Sequence, residues 1–248
     1  LQGAGISIGA SVAIAAPNGA AASFAFLGVV YGGYRATPLN LVAGIKTLTF
    51  VLSHSKTEVI LCADDSRALV DEAVTALVEN GEQAPRVISM DVDDGPRWAE
   101  TDIIPVKPAD LVEPSADTIG LLMYTSGTTG VPKGVLLSHA NLIAAGTNVA
   151  VAHKLTRADT GMCVLPIYHI NGLCVTVMGS VVSSGGLVMP RRFSARHFWA
   201  QMHKFNCSWF SAVPTLFAYL LNDDAVPVLN RDRLRFARSA SAPLPPEI

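Results

Sequence analysis

One short segment of the chain concentrates residues that could bind phosphate. The loop Tyr124–Gly134 has the sequence YTSGTTGVPKG, and from Thr125 onward it contains three glycines, four hydroxyl residues and one lysine. Glycines let backbone N–H groups converge on an anion, hydroxyl groups add hydrogen-bond donors, and lysine adds a mobile positive charge. The residue types therefore indicate a phosphate-binding loop. The alternative for a loop of this composition is a polar hairpin between two strands.

The loop differs from two common phosphate-binding patterns. A Walker loop requires Ser or Thr directly after its lysine, whereas Gly134 follows Lys133 in this sequence. The dinucleotide pattern G-x-G-x-x-G does not occur in the loop either. Any phosphate bound here is therefore held by a different arrangement of glycines and hydroxyl groups.

A second group of candidates lies further along the chain, around His169 in the segment Leu165–Gly172. A lone histidine in an apolar segment is more often a core residue than a functional group. The same applies to Tyr168 and Trp209–Val213, which could line an acyl pocket but have the composition of core. We assign His139 to helix N-terminal structure. We expect the alternating Arg231, Arg233 and Arg235 to form a solvated strand edge rather than a phosphate site.

Short apolar runs alternate with helical patterns along the whole chain, and these elements must position the candidate residues. The alternation predicts an α/β fold of mostly parallel sheets with helices on both faces. Strands are predicted at Val12–Ala15, Val59–Cys62, Arg86–Met90, Ile119–Tyr124, Val135–Leu137, Cys163–Pro166, Gly186–Met189, Cys207–Val213 and Arg231–Arg238. Helices are predicted at Gly19–Tyr31, Leu48–His54, Ser66–Glu79, Ser138–Ala150, Leu173–Val182, Ser194–Lys204 and Pro214–Leu221. Asp91–Pro114 is predicted to be a surface loop.

The composition excludes several classes of protein. Hydrophobic residues make up 50% of the chain and charged residues 15%, which excludes a disordered chain. The net charge of −2 gives no sign of nucleic-acid binding. Residues 119–248 nevertheless contain eleven Lys and Arg against five Asp and Glu. This basic half could attract anionic ligands, or its charges could simply form solvated faces.

The uncharged stretches do not predict a membrane span. Leu1–Tyr34 contains no charged residue, but Pro17, Asn18 and Gly19 interrupt it well before the roughly 20 apolar residues that a spanning helix needs. No signal-peptide pattern is recognisable. The cysteines lie far apart without a C-x-x-C pair, at Cys62, Cys163, Cys174 and Cys207. We expect them to be buried reduced thiols of a cytoplasmic protein.

The loop Tyr124–Gly134 resembles the signature loop of the adenylate-forming enzymes, which include acyl-CoA synthetases, luciferases and the adenylation domains of peptide synthetases. Three further segments agree with this resemblance. Phe26–Asn40 looks like the helix and turn found upstream in the family. Leu165–Gly172 is similar to the P-x-x-H-x-x-G segment of the acyl-CoA synthetase branch. Arg238–Leu244 looks like the S-G-A-A-P-L turn, so the resemblance extends over nearly all of the chain.

The resemblance implies an ATP-dependent acyl-CoA synthetase, in which a carboxylate attacks ATP to give acyl-AMP and pyrophosphate, and the acyl group then passes to CoA. It implies that Mg²⁺ bridges the phosphate oxygens, with no metal-ligating protein residue assigned. The residues implied in phosphate binding are Thr125, Ser126, Gly127, Thr128, Thr129, Gly130 and Lys133. Lys133 and His169 are the implied catalytic residues, with His169 beside the acyl carboxylate. The residues implied along the adenosine and acyl group are Ser239, Ala240, Ser241, Ala242 and Pro243.

Several family segments do not occur in these 248 residues, including Y-G-x-T-E, the hinge and the small C-terminal domain with its lysine. We therefore expect a partial N-terminal AMP-binding domain with portions at about 1–118 and 119–248. We expect it to be inactive alone and to self-associate through exposed apolar surface. The expected partners are a carboxylic acid, ATP and CoA, without nucleic acid. The identity of the acid stays open. A carrier-protein thiol stays open as the acceptor in place of CoA, and a non-catalytic nucleotide-binding or scaffold role stays open as the alternative function.

Overall fold

The computed structural model describes residues 1–91, 94–97, 113–125, 131–222 and 233–245. The chain divides into two compact units, Leu1–Asn141 and Leu142–Ile248. This division differs from the expected one near residue 118. The reason is that the strands before and after the segment 126–132 pair with the sheet of the first unit rather than with that of the second.

The first unit is built on a seven-stranded, mostly parallel sheet. Its strands are β1 (Ser11–Ala15), β2 (Arg35–Pro38), β3 (Thr57–Ala63), β4 (Arg86–Asp91), β5 (Gly95–Pro96), β6 (Ile119–Thr125) and β7 (Lys133–Ser138). They lie in the order β5-β4-β3-β1-β2-β6-β7, and only the two outermost pairs are antiparallel. Every residue of β1 is buried, which agrees with the apolar run Val12–Ala15 that follows Ser11.

Helices cover this sheet on both faces, as the sequence predicts. They are α1 (Ala20–Tyr31), α2 (Ile45–His54) and α3 (Arg67–Glu79). Alternate residues of β1 and β3 form one core cluster with α2 and α3, in which Ile60 packs with Leu52 and Leu77. The intervening residues Val12 and Val59 are equally buried but lie outside that cluster. Because strand side chains alternate between faces, they point to the opposite face, where α1 contacts β1, β2 and β6.

The second unit contains a four-stranded sheet whose pairs are all parallel. Its strands are β8 (Thr160–Cys163), β9 (Gly186–Val188), β10 (Trp209–Ala212) and β11 (Phe236–Ser239), in the order β11-β10-β8-β9. The predicted strand Cys163–Pro166 is wrong, because pairing ends at Cys163. The chain turns directly afterwards, where the His169 N–H donates to the Pro166 carbonyl oxygen at 3.1 Å.

The helical elements of the remaining chain are α4 (His139–His153), a π-helix (Asn171–Val177), α5 (Met178–Val182), α6 (Ala195–Lys204) and α7 (Pro214–Leu221). Helices α6 and α7 pack on one face of the second sheet, in a core that includes Phe198, Phe210 and Leu220. The π-helix contacts β8 and β10. The single apolar helix predicted at Leu173–Val182 is thus an α-helical turn preceded by a wider helix.

Two predictions concern regions that are only partly described. The predicted loop Asp91–Pro114 lies largely outside the described residues, which show the short strand β5 within it. Of the predicted strand Arg231–Arg238, the described part is paired from Phe236 onward. The longest described helix has 15 residues, and none of the helices in the described ranges has the length and apolarity to span a bilayer.

Candidate functional site

The two strands of an antiparallel hairpin position the ends of the predicted phosphate-binding loop. Thr125 is the last residue of β6 and Lys133 the first residue of β7, and they face each other in the ladder. The Thr125 hydroxyl lies 3.5 Å from the Lys133 carbonyl oxygen, to which it donates. The Lys133 side chain is exposed at this end of the hairpin. Ser126–Gly130, the other predicted phosphate-binding residues, lie outside the described residues.

An aromatic contact holds the end of β6 against α2. The Tyr124 hydroxyl and His54 Nδ1 are 2.8 Å apart, and the Phe50 ring stacks on the His54 ring at 5.4 Å between centroids. Burial raises the pKa of Tyr124 to about 12, so its phenol stays protonated at neutral pH. The contact fixes the residue directly before Thr125. The sequence analysis missed His54, because 70 residues separate it from Tyr124.

The far end of the hairpin is fixed by a helix cap. The Asn141 backbone N–H donates to the Ser138 hydroxyl at 3.3 Å, and the Ser138 N–H donates to Asn141 Oδ1 at 3.0 Å. This reciprocal pair satisfies two backbone donors at the start of α4 and confirms the predicted cap at Ser138. The next residue, His139, donates its backbone N–H to the Thr118 carbonyl oxygen at 3.0 Å. The β6–β7 hairpin is thus hydrogen-bonded to α2 through Tyr124 and to the start of α4 through Ser138.

In the second unit, His169 lies in the turn after β8. Its ring is exposed and its centroid lies 4.6 Å from that of Tyr168. Partial desolvation by neighbouring atoms lowers the pKa of His169 below its ordinary value. The imidazole is therefore neutral at neutral pH and has one N–H donor and one acceptor nitrogen. Such a ring can hydrogen-bond a carboxylate.

The π-helix begins two residues after His169 and requires a glycine. A Cβ atom on Gly172 would lie 2.4 Å from the Pro166 carbonyl oxygen and 2.7 Å from that of Leu165. The chain therefore folds back on its own turn at a distance that other residues do not permit. π-helical turns occur frequently at functional sites. Here the close approach fixes the turn that contains His169.

The segment Ser239–Pro243 follows the end of β11. Ser239 is the last residue of the strand, and its Oγ is buried without a hydrogen-bond partner among the described residues. Ser241 adopts a left-handed backbone with φ 73°, and its hydroxyl accepts a hydrogen bond from Asn171 Nδ2 at 3.4 Å. The structure thus brings the turn around Ser241 to the start of the π-helix. The Ala240 N–H donates to the Ala212 carbonyl oxygen, whereas Ala242 and Pro243 are exposed.

A polar network that was not predicted from the sequence lies at this end of the second sheet. Arg238 Nη1 donates to the Ser211 hydroxyl at 3.1 Å and lies 3.4 Å from Asn171 Oδ1. The Ser211 hydroxyl in turn donates to Asn171 Oδ1 at 2.9 Å. Asn171 and Ser211 are both buried, and Ser211 pairs with Arg238 in the ladder. An arginine at a strand end, directly before a recognised turn, is the signal that would have drawn attention to it.

Each unit therefore presents its candidate groups beyond the carboxyl end of a parallel strand, which is where ligands bind in open α/β sheets. The first unit offers the Thr125–Lys133 hairpin, and the second offers His169 and the network around Arg238. Within the described ranges, no group of three or more His, Cys, Asp or Glu side chains could hold a metal ion. The cysteines are all buried, and burial raises the pKa of Cys163 to about 12.

Comparison with known proteins finds curated relatives that match over nearly all of this chain, including two CoA ligases. Sulfoacetate–CoA ligase from Cupriavidus necator is 41% identical over 252 residues, which cover 98% of this chain and 47% of the relative. Oxalate–CoA ligase from Arabidopsis thaliana is 34% identical over 252 residues, which cover 99% of this chain and 48% of the relative. The chain therefore spans about half the length of the curated relatives that it matches.

The fold is also found in solved structures. The inhibitor-bound N-terminal domain of FACL13 from Mycobacterium tuberculosis matches with a TM-score of 0.82 and 26% identity, covering 98% of this chain and 59% of that one. ATP-bound MatB from Rhodopseudomonas palustris matches with a TM-score of 0.82 at 23% identity, over 98% of this chain and 47% of that one, and shows the shared fold. The sequence profile of the AMP-binding enzyme family matches residues 1–248. The chain belongs to the AMP-binding enzyme family.

Proposed function

We propose that this chain forms part of the N-terminal domain of an AMP-forming acid–thiol ligase, which joins a carboxylic acid to CoA and converts ATP to AMP and pyrophosphate. The observation that supports this most directly is the Thr125–Lys133 hairpin, which holds an exposed lysine beside the family's phosphate loop. The names of the relatives, both of them CoA ligases, agree with it.

In the first step, a carboxylate oxygen bonds to the α-phosphorus of ATP and the bond from that phosphorus to the leaving pyrophosphate breaks. The protein contributes positioning and charge neutralisation, because phosphoryl chemistry needs little covalent help. Backbone N–H groups and hydroxyls of Thr125–Gly130 would surround the triphosphate, and the Lys133 ammonium would neutralise charge on it. Mg²⁺, bound through the phosphate oxygens, would supply further charge neutralisation.

In the second step, the CoA sulfur, as the thiolate that remains after its proton is lost to water, bonds to the acyl carbon. AMP leaves with the electrons of the broken acyl–oxygen bond.

We propose that, before the first step, the neutral His169 ring donates its N–H to the substrate carboxylate and orients it, as the lowered pKa of His169 favours. The segment Ser239–Pro243 would lie along the adenosine and acyl groups. Its contact with Asn171 keeps it close to the turn that contains His169.

We further propose that the acid is short and has a second acidic group. Sulfoacetate and oxalate, after which the two relatives are named, are both two-carbon acids of this kind. These two names are the basis of this proposal.

The test is acid-dependent exchange of labelled pyrophosphate into ATP by the full-length protein with Mg²⁺, followed by acyl-CoA formation after CoA is added. We expect exchange only when an accepted acid is present. ATP binding without exchange for any acid would favour the alternative, a non-catalytic nucleotide-binding protein. A folded sample that does not bind ATP would overturn both functions.

A further inference from the structure

The arginines around β11 differ in how their charges are satisfied. Arg235 forms an ion pair with the buried Asp159, and Arg233 donates to the carbonyl oxygens of Asn206 and Ala158. Arg238 contacts only the neutral oxygens of Ser211 and Asn171 through Nη1. Among the described residues, no carboxylate lies within ion-pair distance of it, and its Nε and Nη2 atoms have no hydrogen-bond partner.

Arg238 is partly buried, so this lack of a counter-charge is a cost to the fold. A cation taken out of water needs either a paired anion or several hydrogen bonds. Arg238 has no paired anion among the described residues, and its hydrogen bonds use Nη1 alone. An arginine guanidinium offers five donors in a planar fork that fits carboxylate, sulfonate and phosphate groups. A half-buried fork with free donors is therefore suited to bind an anion from outside the protein.

The surroundings hold the Arg238 side chain in place. The hydroxyl of the fully buried Ser211 accepts a hydrogen bond from Arg238 Nη1 and donates one to Asn171 Oδ1. Asn171 belongs to the π-helix that begins two residues after His169, and it also contacts Ser241. The guanidinium thus lies next to the segments to which the proposed function assigns the acyl group.

We propose that Arg238 binds the second acidic group of the substrate and is the residue that selects acids with two anionic groups. This inference rests on the proposed function, since it requires an acid to be bound in the second unit. One anionic group is consumed when the acyl phosphate forms, whereas the second remains charged throughout. A fixed guanidinium stabilises that second group in every step and rejects acids that leave it unpaired.

The test compares substrates that differ only in the second acidic group, in the full-length protein and three variants. Arg238→Gln removes the charge at similar size, Arg238→Lys keeps the charge but not the fork, and Arg196→Gln removes an exposed charge on α6 as the matched control. Steady-state kinetics with sulfoacetate, oxalate, acetate and propionate give the KM for each acid and for ATP. Calorimetry of sulfoacetate binding gives a readout without turnover.

We expect Arg238→Gln to raise the KM and Kd for the two-anion acids about tenfold or more, because hydrogen bonds to a charged group are lost. The KM for ATP should stay within about twofold of the parent. The KM for acetate should not rise, because the variant lacks the guanidinium that acetate leaves unpaired. Arg238→Lys should recover part of the affinity, and Arg196→Gln should behave like the parent.

Other outcomes would overturn the inference. If Arg238→Gln raises the KM equally for one-anion and two-anion acids, Arg238 has a structural role. If it leaves the KM for two-anion acids unchanged, Arg238 does not bind the second acidic group. If Arg238→Gln does not fold, the Arg238→Lys variant provides the test. An unchanged KM for two-anion acids in that variant would exclude binding through the bidentate guanidinium. A parent protein that uses only one-anion acids would overturn this inference and the proposed second acidic group, but it would leave the proposed acid–thiol ligase activity intact. A parent that uses no acid would overturn the proposed function and this inference with it.

Discussion

At the scale of single residues, the same side-chain type has different functions according to its neighbours. Arg235 neutralises a buried aspartate, whereas Arg238, three residues later, keeps free donors next to the turn with His169. The two histidines nearest the candidate groups differ in the same way. Both side chains are exposed, but the His54 ring is hydrogen-bonded to the Tyr124 hydroxyl, whereas the His169 ring lies against the Tyr168 ring. The chemistry follows from what each group contacts rather than from its type.

Lys133→Ala tests the phosphate role of the hairpin. The substitution removes a charge-assisted contact to the triphosphate, for which we expect a loss of about 1.5–3 kcal/mol and a roughly tenfold or larger rise in the KM for ATP. The measurement is pyrophosphate release as a function of ATP concentration. Lys46→Ala, which removes an exposed lysine of α2, is the control. An unchanged rate at subsaturating ATP would remove Lys133 from the phosphate role.

His169→Ala separates the acid side of the proposed site from the nucleotide side. We expect the KM for the acid to rise more than the KM for ATP, because the imidazole is proposed to hold the carboxylate. The measurement is a matrix of rates over both substrate concentrations, with His203→Ala on α6 as the control. A larger rise in the KM for ATP than in the KM for the acid would indicate that His169 contacts the nucleotide instead.

At the scale of elements, local patterns predicted most of the fold and failed where long-range pairing decides. Strand β2 was missed because its four residues include a proline, and only pairing with β1 and β6 makes it a strand. The π-helix was predicted as ordinary helix, since apolar spacing does not distinguish the two widths. The contact of Arg238 with Asn171 joins residues 67 positions apart, beyond any local pattern.

Gly172→Ala tests whether the π-helical turn positions the acid-binding residues. The added methyl group would overlap the carbonyl oxygens of Pro166 and Leu165, so the turn must shift. We expect the free energy of unfolding, measured by urea denaturation, to fall by about 1–3 kcal/mol and the KM for the acid to rise. Gly28→Ala in α1 is the matched control, since nothing lies near its added Cβ and alanine favours helix. If the Gly172 variant keeps the parent's stability and KM, the turn is not positioned by this contact.

At the scale of the whole molecule, the described residues form two units, each with its own sheet and core. In the second unit, Asp159 lies directly before β8 and connects this strand to two others. Its side chain accepts hydrogen bonds from Arg235, which directly precedes β11, and from Ser208, which directly precedes β10. Burial alone would raise the pKa of Asp159, but these hydrogen bonds and that from the Thr156 N–H outweigh it and lower the pKa below its ordinary value.

A depressed pKa in the folded state predicts the direction of the pH dependence. The stability that ionised Asp159 contributes is fully present above the unfolded aspartate pKa of about 4, and it is lost as the pH falls through the lower folded value. Asp159→Asn should therefore destabilise the protein by about 3 kcal/mol at neutral pH and by less in acid. Urea unfolding at a series of pH values measures this. Asp71→Asn, in an exposed pair with Arg67, should change stability little, and an equal loss in both variants would contradict the assignment.

The network of Asn171, Ser211 and Arg238 has a consequence for how substrate preference can change during evolution or in the laboratory. Because each member is hydrogen-bonded to the other two, their substitutions are expected to be epistatic rather than additive. Changing one member removes two of the three hydrogen bonds and leaves the third, so the effect of each substitution depends on which residues occupy the other two positions. Libraries that vary the three positions together therefore test combinations whose single-substitution intermediates are less stable.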